Sequence, residues 1–454
     1  MMKFKTATRA AGAQILTANQ VSEIIMSIVL VPTLLRAMSY YKGAKDDDSE
    51  DSSSWKLYST LTTMLPASDI CFSAAAVGFS LLDKTLLTAT AWYYCTVWGV
   101  VGLILHFGVS NSFTMGELRC VSMILAISML QLTNVVGAWE NAATTASSLY
   151  GLVAAYGFFG CCIICPLSCY MTKYWWIRVG INVVGPLLFV ERMLMKRGYN
   201  PQGVTVYMPL SIQWLVQFLL EPESGYARFR GLIYWGITLV LCSLPTYALL
   251  RLPSNNLPVV VTRKWFHLVA VLLFAPMIWK APQLMSLSFA IAVCVLFVLE
   301  ALRRDLPALQ SFYVTFIDDN KDEETAIIVS HIFLIVGCAM PLWINEVLQS
   351  SGGKSSLLLA QFGVLCIGIG DAMGAVIGKC MGKHIWGRNN RTLEGSFAML
   401  VSMIASGAFC CYSFRDFLAL FFATSFVTLL EAFTFQLDNL VLPLAGSTVL
   451  LLLL

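Results

Sequence analysis

The sequence predicts an all-α, polytopic integral membrane protein with about fifteen transmembrane helices. Three observations lead there. Of 454 residues, 58% are hydrophobic and only 12% charged, where an ordinary soluble domain carries roughly 25% charged residues. The mean hydropathy is +0.74 and is spread over the whole length, which calls for many spans of about 20 apolar residues each and excludes one anchor bearing a large ectodomain. The fourteen cysteines lie almost all inside apolar runs, as in Cys410-Cys411, and read as small core hydrophobes. Cys162 and Cys165 have C-x-x-C spacing but no histidine nearby, so they read the same way.

Taken in order, the apolar runs cover 14–36, 57–82, 86–107, 119–139, 145–171, 174–194, 204–220 and 229–250, then 265–280, 283–302, 326–344, 357–378, 393–413, 417–432 and 440–454. The first run follows a basic start, Met1 to Arg9, but contains Gln14, Asn19, Gln20 and Glu23. Those polar residues spoil the apolar core of a cleavable signal, so the segment is expected to be retained. Between the first two runs, Asp46, Asp47, Asp48, Glu50 and Asp51 sit among serines and can form no core, which makes 43–54 a solvated loop. By motif the chain divides into a multi-span region, 1–250, and a second region, 251–454, that carries the chemistry.

Alternating the spans puts the N-terminus, Arg192/Lys196/Arg197, Arg263/Lys264, Arg303/Arg304 and the Lys379–Arg391 stretch on one side and the acidic loop on the other. The positive-inside rule makes the basic side cytosolic. The net charge of +3 is small and scattered, which excludes a nucleic-acid surface able to neutralise several phosphates. The partner is therefore expected in the membrane, and no obligate protein partner is implied.

The chemistry concentrates in residues 368–396. Gly370, Gly374, Gly378 and Gly382 recur every fourth residue and leave a strip without Cβ atoms along one helix face. Taken alone, such a strip reads as close helix packing. Asp371 is expected to project onto the same open strip at membrane depth, where an ionisable group is a functional candidate. After it, residues 372–393 hold Lys379, Lys383, Arg388 and Arg391 with His384 and no acid at all. Uncompensated cations beside glycine-lined backbone suit a di- or triphosphate, although the charges alone would also fit a solvated positive-inside loop. Asp371 upstream and Glu394 downstream bracket this cradle, as carboxylates do around a Mg²⁺ that bridges phosphate oxygens.

G-D-x-x-G-x-x-x-G at 370–378, followed by R-T-x-E-G-S at 391–396, resembles the CTP-dependent lipid kinases, and within them the dolichol kinase family. Arg263-Lys264-Trp-Phe-His267, the stretch from Phe316 through Asp318 and His331 to Trp343, and Leu429 through Glu431, Asp438 and Asn439 to Leu444 resemble it too. The resemblance covers about 258–446. It implies a multi-pass enzyme of the endoplasmic reticulum membrane that passes the γ-phosphate of CTP to dolichol, making dolichyl phosphate for protein glycosylation, with Mg²⁺ or another divalent cation. It places the nucleotide loop on Lys379 to Glu394. Nucleotide contacts then fall on Gly374, Gly378, Lys379, Gly382, Lys383, His384, Arg388, Asn389, Asn390, Arg391, Thr392, Gly395 and Ser396. The family's usual K-T-x-E-G reads Arg391-Thr392 here, which keeps the charge.

Asp371 and Glu394 are the expected catalytic pair, with the roles of metal ligand and base left open between them. Asp318, Asp322, Glu431 and Asp438 form a second tier for the metal. Arg263, Lys264 and His267, at i, i+1 and i+4 where a helix enters the membrane, are expected to share one surface facing the lipid headgroup and phosphate. Rival readings are a phosphatidate cytidylyltransferase, a diacylglycerol or phytol kinase and, from another class, a secondary transporter. No second copy of the glycine–aspartate segment occurs in 1–250, and that weighs against the transporter. Asn390-Arg391-Thr392 fits the N-glycosylation rule and is expected to stay unmodified on the cytosolic side.

Overall fold

The computed structural model describes scattered helical positions between 149 and 168. Beyond them it describes residues 173–196, 198–199, 208–222, 225–251, 259–303, 306–307, 309, 330–350, 355–386, 391–433 and 438–454. These residues fall within one compact unit, 141–323 with 328–454. The expected spans at 14–36, 57–82, 86–107 and 119–139, together with Asp318, Asp322 and Arg388 to Asn390, lie outside the described residues.

The described chain is helical apart from a single antiparallel β-bridge, Ile385 with Thr392. The helices are α1 (Trp175–Lys196), α2 (Leu210–Leu219), α3 (Ala227–Arg251), α4 (Val259–Lys280), α5 (Pro282–Arg303), α6 (Ser330–Ser350), α7 (Leu357–Met381), α8 (Leu393–Gly407), α9 (Phe414–Phe433) and α10 (Asp438–Leu453). Among the described residues, five helices are long and apolar enough to cross a membrane: Ala227–Tyr247, Pro282–Glu300, Leu357–Met381, Leu393–Cys410 and Phe414–Phe433. The run at 204–220 departs from expectation. Its helix is only ten residues long, about 15 Å at 1.5 Å per residue, which is half a hydrocarbon core. Glu191 of α1 anchors that short helix, accepting from the amides of Leu210 and Ser211 at 2.8 Å each and satisfying two N-terminal donors that have no intrahelical partner.

Local chemistry fixes several helix ends. Ser356 caps α7 by accepting from Leu359 N, and its own amide donates to Asn345 Oδ1 at 2.7 Å. Thr392 caps α8. Before α9, Ser413 and Asp416 exchange side-chain and backbone hydrogen bonds in the reciprocal manner of a capping box.

Cross-links between helices show how their ends group. Gln361, early in α7, donates to Ala275 O, late in α4. Ser286, early in α5, bonds Glu346, late in α6, at 2.7 Å. Successive helices therefore run in opposite directions, and the ends bearing Lys264, Arg303 and Lys379 gather at one end of the unit. At the other end, buried Arg228 ties α2, α3 and α5 together. It pairs with Glu221 at 2.6 Å, donates to Phe218 O at 2.7 Å and reaches Gln283. The core between α7, α8, α9 and α10 is apolar, with Phe362, Met403, Leu420, Val427 and Leu442 all but fully buried.

Candidate active site

Within α7, residues Val364–Asp371 form a π-helical segment between two α-helical stretches. Such widened turns often mark functional sites. Asp371 is its last residue and is buried, at 8% exposure. The carboxylate points toward α4, where Lys264 forms an ion pair with Oδ2 and His267 Nδ1 stands 3.6 Å from the same oxygen. Lys264 and His267 are three residues apart, so they share one face of α4. Nδ1 of His267 also donates to the Ile367 carbonyl at 2.9 Å, within the π segment, and that bond sets where the ring proton sits. Gly368 makes the approach possible, because a Cβ there would strike Val271 of α4.

This arrangement corrects two expectations. Lys264 and His267 turn into the protein and hold Asp371, in place of forming a headgroup-facing surface; Arg263 lies in α4, but its side chain is outside the described residues. The glycine strip is also not open, and Asp371 does not lie on it. A Cβ on Gly370 would meet Met403 Sδ at 2.7 Å, one on Gly374 would meet Gly395 O at 3.3 Å, and one on Gly378 would meet Thr392 Oγ1 at 3.0 Å. All three contacts are to α8 or its cap. The strip is the seat of a close helix–helix contact, with Gly395 as its counterpart on α8: a Cβ at Gly395 would lie 2.8 Å from Gly374 O. Asp371 follows Gly370 by one residue, a rotation of about 100° in a helix, which carries it from the α8 side to the α4 side.

The basic loop leaves α7 at Gly382, where a Cβ would collide with Gly378 O and Thr392. A narrow hairpin closes its base. Leu393 N donates to His384 O at 2.8 Å and Trp386 N to Arg391 O at 3.2 Å. Glu394 organises this base. Oε2 accepts from the amides of Lys383 and His384 at 3.1 and 3.3 Å, and Oε1 accepts from His384 Nδ1 at 2.6 Å. Asp371 and Glu394 are therefore tied to different groups, the first to α4 and the second to the loop. Thr392 Oγ1 accepts from Gly395 N at 3.2 Å, and Ser396 Oγ accepts from Trp386 Nε1 at 3.1 Å. Trp386 also meets Phe433 of α9 edge-on at 5.5 Å. Lys379, Lys383 and His384 are exposed.

Sequence reasoning missed a second junction. Arg391 Nη1 pairs with Glu431 Oε1 of α9 at 2.7 Å. Forty positions separate the two residues, and only the packing of α8 on α9 brings them together. Asn439 uses its backbone carbonyl at the crossing with Gly337 of α6. Asp438 starts α10 with its side chain outside the described residues. Among the described residues, no group of three or more His, Cys, Asp and Glu side chains is placed to hold a metal ion.

The fold and site define a helical membrane protein with a buried carboxylate–lysine–histidine cluster on the helix that leads into a cationic loop. No family model matches the chain, and no solved structure matches it. Curated relatives do. The chain is 31% identical over 252 residues to dolichol kinase sec59 of Schizosaccharomyces pombe, an alignment covering 51% of this chain and 48% of that one. It is 33% identical over 250 residues to dolichol kinase EVAN of Arabidopsis thaliana, covering 51% and 41%. It is 31% identical over 253 residues to the dolichol kinase of Homo sapiens, covering 51% and 46%. The resemblance read from the motifs is thus borne out, and the chain spans just under half the length of the curated relatives it matches.

Proposed function

We propose that the chain is a dolichol kinase that transfers the γ-phosphoryl group of CTP to the terminal hydroxyl of dolichol. One observation carries the reading. The buried Asp371, gripped by Lys264 and His267, stands on the same helix that runs ten residues further into the cationic loop. A lipid hydroxyl at the membrane boundary and a nucleotide phosphate on the loop can meet there. The named relatives supply the acceptor, while the family's motif supplies CTP.

In the transfer, the lipid hydroxyl oxygen bonds to the γ-phosphorus and the bond to the β,γ-bridging oxygen breaks. CDP leaves with that electron pair, and the hydroxyl proton passes to the Asp371 carboxylate, since His267 Nδ1 already carries the proton it donates to Ile367 O. Phosphoryl transfer needs mostly positioning and charge stabilisation. Lys379 at the end of α7 and Lys383 in the loop supply charge. Lys264 stabilises the Asp371 carboxylate, and Glu394 keeps the loop base closed by holding the amides of Lys383 and His384.

The residues also fit a hard divalent cation of the Mg²⁺ kind, which takes one or two carboxylates and completes its shell with water and phosphate oxygens. Asp371 Oδ1 takes part in neither contact at Oδ2, so Asp371 would provide the protein's share of that shell. When bound, the ion offsets phosphate charge. In the same proposal the chain resides in the endoplasmic reticulum membrane with about fifteen spans. Residues 251–454 form the kinase core after a multi-span region, 1–250, and the loop at 379–391 faces the cytosol. The grouping of the Lys264, Arg303 and Lys379 ends supports that orientation.

The test is an assay of the purified full chain in lipid with dolichol and CTP labelled either on the γ-phosphate or on cytosine. Label from the γ-phosphate on the lipid is expected. Cytosine label on the lipid would make the protein a cytidylyltransferase, and no transfer to any lipid alcohol would refute the kinase reading.

A further inference from the structure

Pro276 stands inside α4. A proline has no N–H to donate and its ring crowds the carbonyl four residues back, so a helix that contains one is kinked or broken there. In α4 that carbonyl belongs to Leu272, an exposed residue, and lipid offers no water to satisfy it. Neighbouring helices supply donors instead. Tyr234 OH of α3 donates to Leu272 O at 2.5 Å, and Trp235 Nε1 donates to Leu273 O at 2.7 Å. From α7, buried Gln361 donates to Ala275 O at 2.7 Å. Three side chains therefore collar α4 around its proline. The prolines of α6 and α10 are accommodated differently. Four residues before Pro341 and Pro443, the carbonyls of Gly337 and Asn439 abut Gly363 and Gly337, where a Cβ would collide with them. What sets α4 apart is what it carries. Lys264 and His267 lie twelve and nine residues ahead of Pro276, about 18 and 14 Å along a helix, and there they meet Asp371 and the Ile367 carbonyl of the π segment. A change of about 10° in direction at the proline would move them by about 3 and 2 Å. That is enough to open the ion pair and to lengthen the 3.6 Å approach of His267.

We propose that Tyr234, with Trp235 and Gln361 beside it in the collar, is a positioning residue for the Lys264–His267–Asp371 cluster. Its hydroxyl takes the carbonyl that Pro276 leaves open, and so fixes the direction in which the first half of α4 carries both side chains to the carboxylate. Tyr234 acts through the backbone of α4. The consequence for phosphoryl transfer rests on the kinase reading; the hold on the cluster does not.

The experiment compares the full chain in lipid with Tyr234→Phe and with a combined variant, Tyr234→Phe plus Pro276→Ala, reading kcat, the KM for CTP and Tm. The combined variant regains an N–H at position 276 that can bond Leu272 O within the helix, so no backbone group is left unmet. A hydroxyl with a purely structural role would then be dispensable. Under the proposal, kcat in the combined variant should fall at least about tenfold, with the KM for CTP within about twofold of the parent. Lys264→Met is then added to each background. In the parent it breaks an intact ion pair and should lower Tm by about 5 °C. In the combined variant the pair is already loosened, and the further fall should be no more than about half of that. A full Lys264→Met cost in the combined variant overturns the proposal. If the combined variant does not fold, Tyr234→Phe alone decides. A kcat lowered about threefold or more at an unchanged KM for CTP supports the proposal, and a parental kcat overturns it. A parent protein that transfers no phosphate from CTP removes the kinase reading, and the Lys264→Met comparison then judges the hold on the cluster by itself.

Discussion

Replacing Lys264 by methionine keeps most of the side-chain volume and removes the charge that faces Asp371. Both partners are largely buried, with side-chain exposures of 16% and 10%. Breaking a buried pair from one side costs about 3–5 kcal/mol, because the remaining charge is left without compensation. The two single variants should differ. The short Asp371 side chain cannot carry its charge to water, so Lys264→Met should bear the full cost, a fall of about 5 °C in Tm for a chain of this length. Asp371→Asn instead leaves an ammonium on a four-carbon stem that can reach toward the interface, and its loss should be roughly half as large. The double variant contains no unpaired charge and should regain stability to within about 1 kcal/mol of the parent. Activity should not follow. All three variants should lose lipid phosphorylation by roughly a hundredfold or more, as when a group that stabilises transition-state charge is removed. The assay is thermal denaturation of the purified proteins in the same detergent, paired with γ-phosphate transfer from CTP. A double variant no more stable than Lys264→Met would refute the reasoning, since the two charges would then not depend on each other.

Gly395→Ala should wedge α8 away from α7, with the new methyl 2.8 Å from Gly374 O, and should cost about 1–3 kcal/mol in thermal stability; an unchanged Tm would mean the contact is looser than described. Glu394→Ala should release the amides of Lys383 and His384, which would show as faster hydrogen exchange at 382–386 and a raised KM for CTP. Unchanged exchange there would contradict the organising role. For topology, a cysteine introduced at Asn389 should react with a reagent confined to the cytosolic side and one at Ser49 should not, and Asn390 should carry no glycan. Sugar on Asn390 would invert the orientation.

The sequence made the helices of the second half legible because apolar runs of span length are a composition signal, and Leu357–Met381 and Phe414–Phe433 follow their expected runs closely. It also made Asp371 conspicuous, since an acid in such a run has no bland explanation. What it concealed depends on register between distant helices. Lys264 and Asp371 are 107 positions apart, and nothing local to either names the other. The four-residue glycine period was visible, but period alone does not tell whether a phosphate or a neighbouring helix fills the strip, and here Gly395 and Met399 fill it. Glu394 looked like a partner for Asp371 because both bracket the basic loop in sequence. In space the hairpin base brings His384 to Glu394 first. The π segment has no composition signature, so the change of winding between the two halves of α7 could not be read from the sequence.

That widened stretch of α7 works as a phase shift within a single rod. Ahead of it, Leu358 and Phe362 are meshed with the core; behind it, Gly374 and Gly378 are meshed with α8. The two halves are clocked separately, and Val364–Asp371 absorbs the difference. Forced into uniform α-helical winding at the same length, these eight residues would turn everything behind them by roughly 100° or more relative to everything ahead. The glycines would rotate off α8, the carboxylate would swing away from α4, and the loop would leave the helix in another direction. Deleting one residue while the stretch tightens to an α-helix should cancel most of that turn, so a one-residue deletion within Val364–Asp371 should be better tolerated than one in the α-helical stretch behind it.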